Sequence, residues 1–150
     1  MIADALRTAT RTLISELLPA GHWVGELSSS ALSTATAVVA LTAMDQQPAL
    51  IDGGLRWLAA NQNTDGGWGD TVRSKSNIST TALVWAALSG ARGNASFAEA
   101  VARADRWLVK AAKHDPSAER VSPDLLKQAI ADRYGKDRTF SVPILMHLAI

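Results

Sequence analysis

The residues best suited to acid–base or metal chemistry in this chain are its carboxylates and three histidines, and it contains no cysteine. That absence removes disulfides, thiolate metal sites and thiol nucleophiles together. His22, His114 and His147 share no ligand spacing, so no metal site is expected. The carboxylates Asp65, Asp70, Asp115, Asp124, Asp132 and Asp137 are scattered over loops and polar faces, where solvation or helix capping is the expected task. Gly66, Gly67 and Gly69 follow a helical stretch with no Lys-Ser/Thr behind them, which argues against a phosphate loop. There is no Gly-x-Ser-x-Gly turn to present a serine nucleophile. Arginine and tryptophan do not cluster as a nucleic-acid footprint requires. No catalytic residue, cofactor or nucleic-acid partner is therefore expected. Trp85, in a charge-free segment, could face a hydrophobic cavity, although core packing is the preferred reading.

The segment that must position everything else runs from Trp57 to Gly69, Trp-Leu-Ala-Ala-Asn-Gln-Asn-Thr-Asp-Gly-Gly-Trp-Gly. An apolar helical stretch with Leu50, Ile51, Leu55 and Leu58 runs into Gln62 and breaks at Asp65-Gly66-Gly67. Glycine directly after a helix is a strong stop, since it takes a left-handed conformation without strain. Trp68 on so short a turn needs an apolar seat worth roughly 2–3 kcal/mol and a partner for its N–H. Gln62 can donate and accept around the helix end. Gln62, Gly66 and Trp68 thus read as a staple between helices, in preference to a ligand contact.

The rest of the chain reads as helices of two kinds. Ile2, Leu6, Ala9, Leu13 and Leu17 form one stripe over residues 2–17, predicting an amphipathic helix with one face inward. Residues 31–44 are apolar or small all round, the pattern of a helix enclosed by others. The charge-free run Leu27–Met44 contains seven Ser or Thr, too polar for a membrane span. Pro48 opens a third helix in the favoured first turn. Another charge-free helix is expected near 78–89. After it, Asn94 and a Ser96-x-x-Glu99 capping box open an amphipathic helix reaching Trp107-Leu108, ended by Asp115-Pro116-Ser117. Ser122-Pro123-Asp124 starts a short helix closed by Gly135, and a last one begins near Thr139.

The order repeats. Leu17, Gly21 and Trp23 precede Gln62, Gly66 and Trp68 by forty-five residues, so the first copy keeps Gly-x-Trp and lacks the glutamine. Leu32-Ser33-Thr34-Ala35 aligns with Ser79-Thr80-Thr81-Ala82 at a shift of forty-seven, and Trp57-Leu58 returns as Trp107-Leu108 at fifty. Alternating amphipathic and apolar helices predict stacked helical hairpins with the apolar helices inside. The fold class expected is all-α, with 1–150 as a single repeat domain. The unequal spacing suits part of an α/α toroid better than a strict solenoid. Formal net charge is +1, giving no electrostatic pull toward nucleic acid or anionic membrane. The N-terminus, charged and helical from Asp4 onward, does not look like a signal peptide.

The spacing Trp57-Leu58-x3-Gln62-x3-Gly66-x-Trp68 also resembles the QW motif of the squalene-hopene cyclase and oxidosqualene cyclase family. Asp52-Gly53 stands where that motif has a basic-small pair, and Ala59-Ala60 replaces part of its aliphatic run. Two flanking elements, Gly21-His22-Trp23-Val24-Gly25-Glu26-Leu27 and Gly67-Trp68-Gly69-Asp70-Thr71, are similar to segments of the squalene-hopene cyclases. So is Tyr134-Gly135-Lys136-Asp137-Arg138-Thr139-Phe140-Ser141-Val142-Pro143-Ile144-Leu145.

The resemblance implies the N-terminal portion of a class II triterpene cyclase, whose toroid has inner and outer rings of helices. That family protonates a terminal double bond of squalene with an acid from an Asp-x-Asp-Asp motif. An alkene is a feeble base, so such an acid must be held protonated in a dry site. Aromatic faces then stabilise the moving cation. No Asp-x-Asp-Asp occurs here, and Ile150 falls inside an apolar helix, so the chain is expected to be part of a longer protein that supplies the acid, or a truncated relative. Squalene or a similar polyene would be the substrate of that full-length protein. Its expected location is the cytoplasm, with peripheral membrane attachment left open. The rest of the cyclase, or self-association, would cover the open edges of the partial ring. The rival reading is a non-catalytic α-hairpin binding or assembly module.

Overall fold

The computed structural model describes residues 1–25, 27–91, 95–112 and 120–149. They form helices α1 (Ile2–Ser15), α2 (Ala31–Ala43), α3 (Pro48–Ala60), α4 (Ile78–Gly90), α5 (Ala98–Ala111), α6 (Pro123–Tyr134) and α7 (Arg138–Ala149). No strand occurs among the described residues. Glu26, Asn94, His114, the Asp115-Pro116-Ser117 break and Ile150 lie outside them.

The helix starts follow local chemistry. The Ser30 and Ser122 hydroxyls accept from the backbone N–H of Ser33 and Leu125, each at 3.2 Å, and open α2 and α6. The Asn77 amide oxygen accepts from Thr80 N–H at 2.9 Å and opens α4. Each cap satisfies a donor that the first turn leaves without a helical partner. Pro48 and Pro123 occupy the first turns of α3 and α6. The start of α5 differs from the sequence expectation. A 3-10 turn at Ala95–Phe97 precedes it, and its N-cap is Phe97, not Ser96. The Phe97 ring is buried, and seating it in the core sets where the helix begins.

Helix α4 is the centre of the assembly, in contact with α2, α3, α5, α6 and α7. Ser79 to Val84, Ala87 and Leu88 are all buried. Its neighbours present matching apolar faces: Leu55 and Leu58 from α3, Ala104 and Leu108 from α5, Leu126 and Ile130 from α6. Buried hydroxyls on α4 are all engaged, Ser79 with the Tyr134 hydroxyl, Thr80 with Asp70, and Thr81 with the backbone of Trp68. The helices pair as α2 with α3, α4 with α5, and α6 with α7, the hairpins of an α/α-toroid segment.

Two expectations about burial need correction. Helix α2 is not enclosed as α4 is. Helix α2 buries Ala31, Ala35 and Val38, and α7 buries Ser141 and Ile144. Each flanks α4 and keeps an open face, so Leu32, Phe140, Val142 and Met146 reach solvent. The stripe of α1 does not face inward either: no residue of that helix is buried, and Ile2 is 88% exposed. Among the described residues helix α1 makes no extended contact with another helix, so its apolar face has no helical partner there. None of the described helices is long and apolar enough to cross a membrane.

Candidate functional site

The turn after α3 is built by the residues between Asn61 and Thr81. Asn61 caps the helix, its side-chain amide donating to the Trp57 carbonyl at 2.8 Å. The chain then closes on itself: Gly66 N–H donates to Asn63 O at 2.9 Å, and Asn63 N–H donates to Gly67 O at 3.0 Å. Gly66 takes φ +92°, and a Cβ there would lie 2.9 Å from the Arg103 carbonyl oxygen. Conformation and space both demand glycine at that position. The turn delivers Trp68 into the core at 1% exposure, where its indole N–H donates to Leu58 O at 2.9 Å. Thr81 holds the Trp68 backbone from the α4 side, accepting from its N–H at 3.0 Å.

Gln62 reaches out of this hairpin. Its amide nitrogen donates to Gly66 O at 2.8 Å and to Ala100 O at 2.9 Å, so one side chain joins the turn to the first turn of α5. Trp57 is half-buried against the core, with its carbonyl on the Asn61 cap. The structure therefore brings Gln62, Gly66 and Trp68 together in one joint, with Trp57 one turn back along α3.

The first copy repeats three of these bonds. Trp23 N–H donates to Leu13 O at 2.7 Å, again ten residues upstream. Gly21 N–H donates to Leu18 O at 2.9 Å, Leu18 N–H to His22 O at 3.0 Å, and Gly21 takes φ +79°. Each partner stands forty-five residues before its counterpart in the second copy. Leu17 occupies the place of Gln62, and Trp23 is 50% exposed.

Asp65 and Arg103 belong to the joint and were not singled out for it by spacing. Asp65 accepts from Ser76 Oγ at 2.7 Å, Gly67 N–H at 3.1 Å and the Trp107 indole N–H at 3.1 Å. Arg103 donates to Asn63 O at 2.9 Å and Thr64 O at 3.2 Å. Burial alone would push the Asp65 carboxyl up, but the hydrogen bonds from Ser76, Gly67 and Trp107 outweigh it and hold the group below 3.8. A carboxyl whose pKa is lower folded than unfolded contributes stability above its unfolded pKa, and that contribution is lost as pH falls through the folded pKa. Asp65→Asn should therefore melt at lower temperature near neutrality, yet lose less of its melting temperature than the parent between about pH 6 and pH 2. Parallel melting curves over that range would refute the role.

The other carboxylates also serve the scaffold. Asp70 accepts from Asn77 Nδ2 at 2.8 Å and Thr80 Oγ1 at 2.6 Å, bracing the start of α4. Asp105, buried on α5, accepts from Val121 N–H at 3.0 Å and was not anticipated. Asp137 accepts from Thr139 N–H at 2.9 Å before α7, and Asp132 from Gln128 at 2.7 Å. Asp124 is exposed in the first turn of α6, within 3.7 Å of Lys127. Among the described residues no group of three His, Cys, Asp or Glu could hold a metal ion. Trp85 is partly buried on α4 and borders a cavity of about 510 Å3.

This geometry is a mechanical joint, with donors and acceptors spent on holding helices together. The family described as the squalene-hopene cyclase N-terminal domain matches residues 6–115, which contain both turns and the joint to α5. No curated protein and no solved structure matches the chain. With the match covering most of its length and both Gly-x-Trp turns, the chain belongs to the squalene-hopene cyclase family through its N-terminal domain.

Proposed function

We propose that this chain is the N-terminal toroid segment of a squalene-hopene-type triterpene cyclase, an isomerase of triterpenoid biosynthesis. It contributes scaffold and cavity wall to cationic polyene cyclisation and leaves protonation to an acid elsewhere in the full-length protein. The observation that carries this is the joint itself, in which Gln62 ties the Gly66 turn to Ala100 of α5 and the Trp68 indole is set on Leu58 O, all within the residues that match the family. The Asp65 carboxyl in that joint is lowered, against the effect of burial, by hydrogen bonds from Ser76, Gly67 and Trp107, whereas protonating an alkene requires a carboxyl held protonated. In this reading Trp57, Gln62, Gly66 and Trp68 work as a QW-type staple between hairpins. Squalene or a similar polyene occupies the complete, cytoplasmic cyclase. The open faces of α2 and α7 are covered there by the rest of the protein, or by a second copy when the segment is alone.

Two arms test this. The purified chain incubated with squalene should yield no cyclic triterpene by gas chromatography with mass detection. Residues 6–115, exchanged for the matching segment of an active squalene-hopene cyclase, should give a chimera that does. Product from the isolated chain, or a folded chimera without product, would sink the proposal. The latter outcome would favour a non-catalytic assembly module.

A further inference from the structure

The second Gly-x-Trp turn rests on a seat at the start of α5. Gln62 donates to Ala100 O, Arg103 donates to Asn63 O and Thr64 O, and Gly66 lies against the Arg103 backbone. Ala100, inside that contact, is 9% exposed. At the shift of fifty that carries Trp57-Leu58 onto Trp107-Leu108, α3 is the counterpart of α5, and Leu50 and Gly53 stand for Ala100 and Arg103. The two helices match in burial along their bodies. Leu55 and Asp105 are buried, as are Leu58 and Leu108; Trp57 and Trp107 are half-buried, and Arg56 and Arg106 exposed. They part at the seat, where Leu50 is 62% exposed with no turn lying on it.

The first turn is uncovered in its turn. Leu17 is 39% exposed, and nothing lies within 4 Å of where a Cβ on Gly21 would stand. Turn and seat also differ from the second pair in the same sense. Gln62, Asp65 and Arg103, the polar groups of the second joint, have Leu17, Ala20 and Gly53 as counterparts. A glutamine bonded to the backbone over an alanine is thus replaced by two leucines at the matching places. An apolar turn fits an apolar seat, and covering both leucines drives the contact.

The chain's own turn leaves Leu50 open, and the connections that would have to bring it there are short. Residues 24–30 join Trp23 to α2 and 44–47 join α2 to α3, whereas the counterparts 69–77 and 91–97 are two and three residues longer. The 44–47 link already holds Asp45 and Gln47 at φ +51° and +55°, a region that residues other than glycine rarely enter. A second copy is free of those connections. Each chain carries one uncovered turn and one uncovered seat, so a reciprocal exchange uses both and closes as a two-fold pair.

We propose that the Leu17–Trp23 turn of one copy docks on the Leu50–Gly53 face of α3 in a second copy, and the reverse, with Leu17 packed on Leu50. The proposal rests on the internal repeat and not on the cyclase reading.

The test uses the full chain, whose lack of cysteine leaves any introduced thiol alone. Leu17→Cys and Leu50→Cys, made in separate chains, mixed and treated with a short bis-maleimide, should give a product of twice the chain mass. Its linked peptides should join positions 17 and 50, and neither variant alone should give that product. By light scattering on dilution the parent should be a dimer, and Leu50→Glu should raise its dissociation constant by about tenfold or more. Leu50 is exposed in the single copy, so that variant should fold; circular dichroism checks it, and if it does not fold the cross-link decides. A monomeric parent, or a mixture that links no better than its components, overturns the proposal. So does a double variant, Leu17→Cys with Leu50→Cys, that links only within single chains, which would mean that the turn closes on its own seat. Self-association that folded Leu50→Glu leaves unchanged overturns it too, and would place the contact on the open faces of α2 or α7.

Discussion

Trp68→Ala should lower the unfolding free energy by about 3–5 kcal/mol, a large share of what a domain of this size possesses. Three losses combine. The indole leaves the core, where it is 1% exposed. The Leu58 carbonyl loses the donor 2.9 Å away. The space left is framed by α4, whose buried face cannot collapse without moving the other helices packed on it. Trp23→Ala supplies the internal control. It removes the same bond at the same position of the first copy, but from an indole already 50% exposed, so about 1 kcal/mol is expected. Denaturant midpoints for the two variants should differ several-fold in their displacement from the parent. Equal displacements would mean that burial does not set the worth of the joint.

Gly66→Ala should cost about 2–4 kcal/mol. A side chain at φ +92° is strained, and the new Cβ would meet the Arg103 carbonyl at 2.9 Å, a backbone atom that can yield only if α5 moves. Gly53→Ala should do the reverse. Gly53 lies inside α3 with nothing within 4 Å of where an alanine methyl would stand, so the substitution should add about 0.5–1 kcal/mol by restricting the unfolded chain. Urea unfolding of the pair should shift in opposite directions. A shift of the same sign would show that backbone conformation is not what selects glycine at position 66.

Helix positions were legible because their signals are local. Pro48, Ser122 and Gly135 act within one turn of where they stand, and the expected boundaries fall close to the observed ones. The forty-five-residue repeat was legible for the same reason, since Gly-x-Trp closes on atoms at most ten residues away. What failed depends on neighbours. The stripe on α1 has the period of a packed helix, but periodicity does not say whether a partner is at hand. Helices α2 and α4 have nearly the same composition, and only position decides that α4 is enclosed and α2 half open. Asp65 and Arg103 join the site through partners about forty residues away, and Asp105 through Val121, links that leave no mark on spacing.

The two Gly-x-Trp turns also say something about time. The bonds that close each turn span ten residues or fewer, whereas Gln62–Ala100 and Asp65–Trp107 span 38 and 42. Short spans cost little loop entropy and close first. Each turn can therefore form on its own, before the chain has found the next hairpin, and the glutamine and aspartate then act as latches that set only once α5 arrives. A chain assembled this way grows by adding finished pieces to finished pieces, and the copy with leucine in place of glutamine is a piece whose latch was never fitted.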